Sequence, residues 1–117
     1  MVEYEAARLD SVFHALGDPT RRGMLATLAL GEKSIGELAR PFEMSFAGAS
    51  KHVKVLEDAG LVARRKSGRT HFCSLRPEPL AAATQWLKQW EKFWNVRLGR
   101  LQALIEADKT AKETSNG

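Results

Sequence analysis

Leu9, Val12, Phe13 and Leu16 fall at i, i+3, i+4 and i+7, the apolar stripe of a first helix that Gly17 ends. Asp18-Pro19 reads as an N-cap followed by proline at the first helical position. Met24, Leu25 and Leu28 give the second helix its buried side, with Gly31 as its stop. Ser34-Ile35-Gly36-Glu37 is a capping-box pattern, a serine with glutamate three residues later, and predicts a short third helix ending near Pro41. Pro41-Phe42-Glu43-Met44 makes a tight connection. Ser45 then caps a fourth helix that runs to about Ala59 and stops at Gly60. Its inward stripe is Ala49, Val53 and Leu56, and a separate stripe carries Ala47, Lys51 and Lys54. Two strand-like runs, Leu61 to Arg65 and Thr70 to Leu75, flank Lys66-Ser67-Gly68-Arg69 and read as a β-hairpin whose tip carries Arg64, Arg65, Lys66 and Arg69. From Leu80 onward, positions 80, 83, 87, 90, 94, 98, 101 and 105 are all apolar. This spacing of three and four predicts one long helix of about 25 residues. Residues 109–117 are polar and are expected to form a disordered tail, leaving one domain over 1–108.

The 117 residues suffice for one domain. At 44% hydrophobic and 27% charged, the composition excludes a disordered or fibrous chain. No apolar run is long enough to span a membrane. Glu3 and Glu5 stand where a signal peptide needs cations, so the expected location is the cytoplasm. Cys73 is the one cysteine, which excludes an intrachain disulfide and any multi-cysteine metal cluster. The net charge of +4 is uneven: residues 1–39 sum to −2, residues 40–76 to +5 and residues 77–117 to +1. A basic middle third points to a polyanion, nucleic acid being the commonest, and a merely solvated basic face is the alternative.

The order helix, helix, short helix, turn, helix, basic hairpin, long helix places the third and fourth helices at helix-turn-helix spacing, with the fourth as the DNA reader and the hairpin as a wing. The chemistry fits. Ala47, Gly48 and Ser50 are small and permit close approach to base edges, and Ser45 and Ser50 can donate to phosphate or base atoms. Lys51 and Lys54 neutralise phosphates, and Arg65, Lys66 and Arg69 extend the contact. Phe46 either touches a thymine methyl or is buried beneath the turn. His52 either contacts phosphate or fills a packing gap. Arg21 and Arg22 either reach the DNA backbone or hold acids such as Asp18 or Glu37, with a structural role favoured for at least one. Catalytic motifs are absent, no cofactor is implied, and an enzyme is not expected.

Phe13 through Arg22 resembles the opening signature of the ArsR-type winged helix-turn-helix repressors, and Ser50 through Val62 resembles their recognition-helix signature. Gly68-Arg69, followed by a strand ending at Leu75, resembles their wing. The resemblance covers roughly residues 9–105 and implies a mainly helical fold with a small β-hairpin that dimerises through its first and last helices. It implies an interface that takes in Leu9, Phe13, Trp86, Trp90, Phe93, Trp94, Leu98 and Leu101. It implies a homodimeric repressor on a double-stranded, inverted-repeat operator, released by an effector, small molecule or protein. Metal-sensing relatives carry cysteine pairs in the third helix or His and carboxylate ligands on the last. Here residues 37–42 and 80–107 contain neither Cys nor His, so the resemblance is to the non-metal branch. Trp86, Trp90 and Trp94 recur every four residues, as packing or as the lining of an effector pocket. Cys73 alternates with Leu75 on the second strand and is read as an inward thiol, with a redox switch as the sharper alternative. Two other functions stay open: a protein–protein adapter on the same scaffold, and a nucleic-acid binder without sequence preference.

Overall fold

The computed structural model describes Val2–Ser115, without the side chains of residues 2–5, 94 and 110–115. The chain divides into two compact units, with the boundary between Ala83 and Thr84. The first unit opens with α1 (Val2–Leu16), α2 (Pro19–Leu28), the two-residue strand β1 (Lys33–Ser34) and α3 (Ile35–Ala39). A 3-10 turn over Arg40–Phe42 leads into α4 (Phe46–Asp58), followed by strands β2 (Val62–Ser67) and β3 (Thr70–Leu75). The last helix, α5 (Glu78–Ser115), begins in this unit and makes up the second.

The local chemistry that the sequence advertises is made in space. The Asp18 carboxylate accepts from the Arg21 backbone N–H at 3.1 Å, and Pro19 occupies the first turn of α2. Ser34 and Glu37 close a reciprocal box: the Glu37 N–H donates to Ser34 Oγ at 3.1 Å and the Ser34 N–H to Glu37 Oε1 at 3.0 Å. At the other end of α4, Gly60 takes φ +77. Its N–H reaches Glu57 O while the Leu61 N–H reaches Leu56 O. That pair of bonds is a Schellman stop, and its apolar contact joins Leu56 to Leu61, both fully buried.

The hairpin is tighter than its sequence suggests. Ser67 pairs with Thr70, so the loop is Gly68-Arg69 alone, with Gly68 at φ +63 as a type II′ turn requires at its first position. The sheet also has a third strand that the sequence reading lacks. β1 pairs with β3, Lys33 opposite Cys73 and Ser34 opposite Phe72, giving the antiparallel order β1-β3-β2. Two residues have no readable periodicity, which is why this strand has no signal of its own.

The core gathers Val12 and Ala15 of α1, Met24, Leu25 and Leu28 of α2, Ile35, Leu38 and Ala39 of α3, Ala49, Val53 and Leu56 of α4, and Val62 and Cys73 of the sheet. No buried residue among those described is polar or charged. Cys73 is fully buried, as its alternation with Leu75 implies, and burial pushes its thiol above the usual range.

α5 corrects the sequence reading at both ends. It begins at Glu78 rather than Leu80, and it continues through residues 109–115, assigned above to a disordered tail. Lys109, Ala111, Lys112 and Glu113 are good helix formers, and no Gly or Pro interrupts the run before Gly117. Within the second unit, Trp90, Leu98, Leu101 and Ile105 stay exposed, at 45 to 59%.

Two outcomes follow for stability. Leu56→Ala should lower the unfolding free energy by about 2–5 kcal/mol in urea titration, because it opens a cavity under α4. Asp18, Glu32 and Glu37 are all held below the ordinary carboxylate range: Asp18 chiefly by the Arg21 backbone N–H, Glu32 by the Arg65 side chain and Glu37 by the Ser34 backbone N–H. A carboxyl depressed in the folded state stabilises above its unfolded value and loses that contribution as pH falls through the folded one. The urea midpoint should therefore drop below about pH 4, and Glu37→Gln should make that drop shallower.

Candidate nucleic-acid interface

The candidate reader helix, α4, is capped by Ser45, whose Oγ accepts from the Gly48 N–H at 3.1 Å. A Cβ on Gly48 would stand 3.3 Å from that oxygen, so the glycine keeps the cap open. Ala49, Val53 and Leu56 lock the inner side of α4 into the core. Phe46, Ala47, Lys51 and Lys54 are exposed, and Ser50 and His52 are half-buried.

Phe46 is 59% exposed, which decides its two readings against burial beneath the turn. Phe42 takes that inner place instead. It packs against the core, and its ring lies so close over α2 that a Cβ on Gly23 would come within 2.7 Å of Phe42 Cζ. Glu43, at φ +51, then turns the chain toward Ser45.

The cations divide into two groups. Lys54 Nζ donates to Asp58 Oδ1 at 2.8 Å, which raises its pKa. Arg64 is not a tip residue: it is half-buried, with Nε 3.4 Å from Glu57 Oε2. Arg65 donates from Nε to Glu32 Oε2 at 3.0 Å and from Nη2 to Glu32 Oε1 at 2.8 Å. Its guanidinium also lies 4.7 Å from the centroid of Phe72, its cross-strand neighbour. Arg65 is therefore a clamp between the loop after α2 and the base of the wing. Lys51, Lys66 and Arg69 make no hydrogen bond or ion pair among the described residues, and all three are exposed.

Arg21 and Arg22 hold backbone rather than Glu37. Arg22 Nη1 donates to Leu16 O at 2.7 Å, Arg21 Nε to Ala15 O at 2.7 Å and Arg21 Nη2 to His14 O at 3.0 Å. They satisfy the carbonyls that a helix C-terminus leaves open. Arg21 Nη1 also lies 3.3 Å from His52 Nδ1, which is 4.0 Å from Asp18 Oδ2. Arg21 and Glu32 are the positioning residues missing from the sequence-derived set. Asp18-Pro19 offered a local hint of the first. Glu32 offered none, because Arg65 is 33 residues away.

Among the residues implied as a dimer interface, Leu9 and Phe13 are half-buried against the core of their own unit. Trp86, Trp90, Phe93, Leu98 and Leu101 are exposed. The side chain of Trp94 lies outside the described residues. The Trp86 and Trp90 rings sit 5.9 Å apart at 55°, and Arg97 lies over Phe93 at 4.5 Å. Among the described residues, no three His, Cys, Asp or Glu gather as a metal site, and no helix is long and apolar enough to cross a membrane.

Comparison with known proteins agrees with this arrangement. The helix-turn-helix domain family matches residues 16–65. The HTH-type transcriptional regulator Rv2034 of Mycobacterium tuberculosis is 37% identical over 99 residues, covering 85% of this chain and 90% of that one. The transcriptional repressor SdpR of Bacillus subtilis is 30% identical, over 68% of this chain and 88% of its own. A crystal structure of an ArsR family transcriptional regulator superposes with a TM-score of 0.72 at 38% identity, covering 77% of this chain and 93% of that one.

The clamp makes a specific demand. Glu32→Gln should raise amide hydrogen exchange in β2 and β3 while leaving the α4 amides near their wild-type rates. Equal rates in the wing would show that Arg65 is held by Phe72 alone.

Proposed function

The chain belongs to the ArsR-type winged helix-turn-helix transcriptional regulators, and we propose that it is a homodimeric, sequence-specific repressor of transcription acting in the cytoplasm. The observation that carries the reading is the uncovered outer side of α4. A helix locked into the core by Ala49, Val53 and Leu56 leaves Phe46, Ala47 and Lys51 facing solvent. That is the disposition of a helix that enters a major groove. Ser45 and Ser50 supply hydroxyl donors, and Phe46 presents an apolar edge to thymine methyls. Lys66 and Arg69 at the wing tip take the flanking phosphates, together with Lys51. Lys54 joins them on release from Asp58, and Arg65 serves chiefly to hold the wing.

A dimer follows from the second unit. Trp86, Trp90, Phe93, Leu98 and Leu101 are apolar and exposed on a helix with no other element in its unit. Burying that face against a second copy removes it from water. Two readers on a twofold axis match an inverted repeat whose half-sites lie about one helical turn apart. Release is assigned to a non-metal effector, since residues 37–42 and 80–107 hold neither thiolate nor imidazole.

Fluorescence anisotropy on the DNA just upstream of its own gene, against a scrambled duplex, tests the reading. Tighter binding to the upstream DNA is expected, with a steep salt slope on both. Equal affinity would favour a binder without sequence preference, and no binding would favour an adapter. Lys51→Ala should weaken binding, and Arg69→Ala should lower the slope of log K against log salt by about one charge. Arg65→Ala should weaken binding with less change in slope. Trp90→Ala should shift sedimentation toward monomer, since an aromatic lost from an interface centre costs about 2–4 kcal/mol.

A further inference from the structure

We propose that Arg21 is a positioning residue for DNA binding, one that fixes His52 in its Nε2–H tautomer and presents that N–H as an uncharged donor to a DNA phosphate oxygen. The inference rests on the reading of α4 as the DNA reader. It starts from the donor inventory. A guanidinium carries five N–H groups and no acceptor. Arg21 Nη1 stands 3.3 Å from His52 Nδ1, so Nδ1 is the acceptor. A neutral imidazole has one proton to place, and with the Nδ1 lone pair engaged that proton sits on Nε2.

The guanidinium has little freedom to choose otherwise. Nε is tied to Ala15 O at 2.7 Å and Nη2 to His14 O at 3.0 Å, and the Arg21 backbone N–H is tied to Asp18. Asp18 Oδ2 is the competing acceptor for an Nδ1 proton, but at 4.0 Å it lies beyond hydrogen-bond reach. Arg21 therefore joins three things: the end of α1, the start of α2 and the reader helix.

The far side of the ring is available. His52 is half-buried, and its Nε2 makes no hydrogen bond among the described residues. Among the described residues, the buried side-chain polar atoms without a hydrogen bond are Arg64 Nε and His71 Nδ1, and His52 Nε2 is not one of them. It reaches solvent, on the flank of α4 that also carries Gly48 and the Ser45 cap. Phosphates are the commonest acceptors at such an interface, and a neutral donor positions without releasing a counterion.

The absence of counterion release is what makes the idea testable. Lysine contacts lose affinity and salt slope together, whereas His52 should lose affinity alone. The first test needs no DNA: long-range proton–nitrogen NMR of the histidine rings in the full chain, with His52→Gln to assign the signal. The Nε2–H pattern is expected in the wild type, and a mixed pattern in Arg21→Lys. An Nδ1–H pattern in the wild type would overturn the proposal outright.

The second test is anisotropy on the upstream duplex between about 50 and 200 mM salt. His52→Ala should weaken binding by about tenfold or more at an unchanged salt slope. His52→Gln, which keeps an N–H donor near that position, should recover part of the loss. Arg21→Lys should cost little once His52 is already alanine. A His52→Ala protein that binds like the wild type would refute the phosphate contact and leave the DNA-binding reading intact. A wild type that binds neither duplex would remove the reading itself, whatever the NMR shows.

Discussion

α4 is buried on one side only, and most of the first unit is arranged to keep it that way. Ala49, Val53 and Leu56 have no exposed surface at all. They are met by side chains from α1, α2, α3 and the sheet, so no single neighbour orients the helix. Close packing of this kind resists rotation, because turning α4 by one position would bring Lys or His into a core with no buried polar or charged residue among those described. The Schellman stop at Gly60 and the Ser45 cap fix where the helix ends, and Phe42 over Gly23 fixes where it begins relative to α2. A reader must present the same side chains to every base pair it meets, and this packing is what makes the presentation reproducible.

Charge arithmetic and charge geometry tell different stories. The middle third sums to +5, which suggests a broad cationic surface. In the fold, Lys54, Arg64 and Arg65 are each set against a carboxylate, Asp58, Glu57 and Glu32 respectively. Lys51 on the helix and Lys66 with Arg69 at the wing tip have no side-chain hydrogen bond or ion pair among the described residues, and neither have Arg40 and Arg76 outside the helix and wing. On α4 and the wing alone, Lys51, Lys66 and Arg69 are free while Lys54, Arg64 and Arg65 are paired, a sparser electrostatic footprint there than the residue count implies. In the proposed reading, affinity then leans on hydrogen bonds from the serines and apolar contact by Phe46, which can distinguish one base sequence from another, and on His52, which positions through the DNA backbone alone.

The legible parts of the fold were those whose cause is local. Apolar spacing and caps within four residues of each other marked α1 to α4, and the Gly68 turn marked the wing. The motif order followed from these and carried the family resemblance. What escaped was long-range. β1 exists only because β3 pairs with it, 38 to 40 residues on. Glu32 matters only because Arg65 returns to it. From the sequence Arg21 reads as a DNA contact or an acid's partner, yet its side-chain partners are carbonyls six and seven residues back and a histidine 31 residues on. The overrun of α5 into residues 109–115 has the opposite origin: the segment's polarity reads as disorder, whereas its helix propensity prevails. At the site, residue types were readable but engagement was not. Nothing in the string separates Arg65, which is clamped, from Arg69, which is free.

The two units differ in how they satisfy the hydrophobic effect. The first closes an apolar core of its own, with its caps made and its carbonyl ends covered. The second is one helix, and a helix alone has no interior in which to hide Trp90, Leu98 or Leu101. An isolated helix that exposes such a face gains nothing from its apolar residues, so its stability depends on finding a second surface. In the proposed dimer, covering this face and pairing the readers are one step. A monomer with a sound first unit would meet DNA through one half-site, and the dimer through two that are already linked. The difference is one of effective concentration rather than of any new contact. On this view, affinity for an operator rises with protein concentration more steeply than a single reader would allow, and the apolar face of α5 governs DNA occupancy without touching DNA.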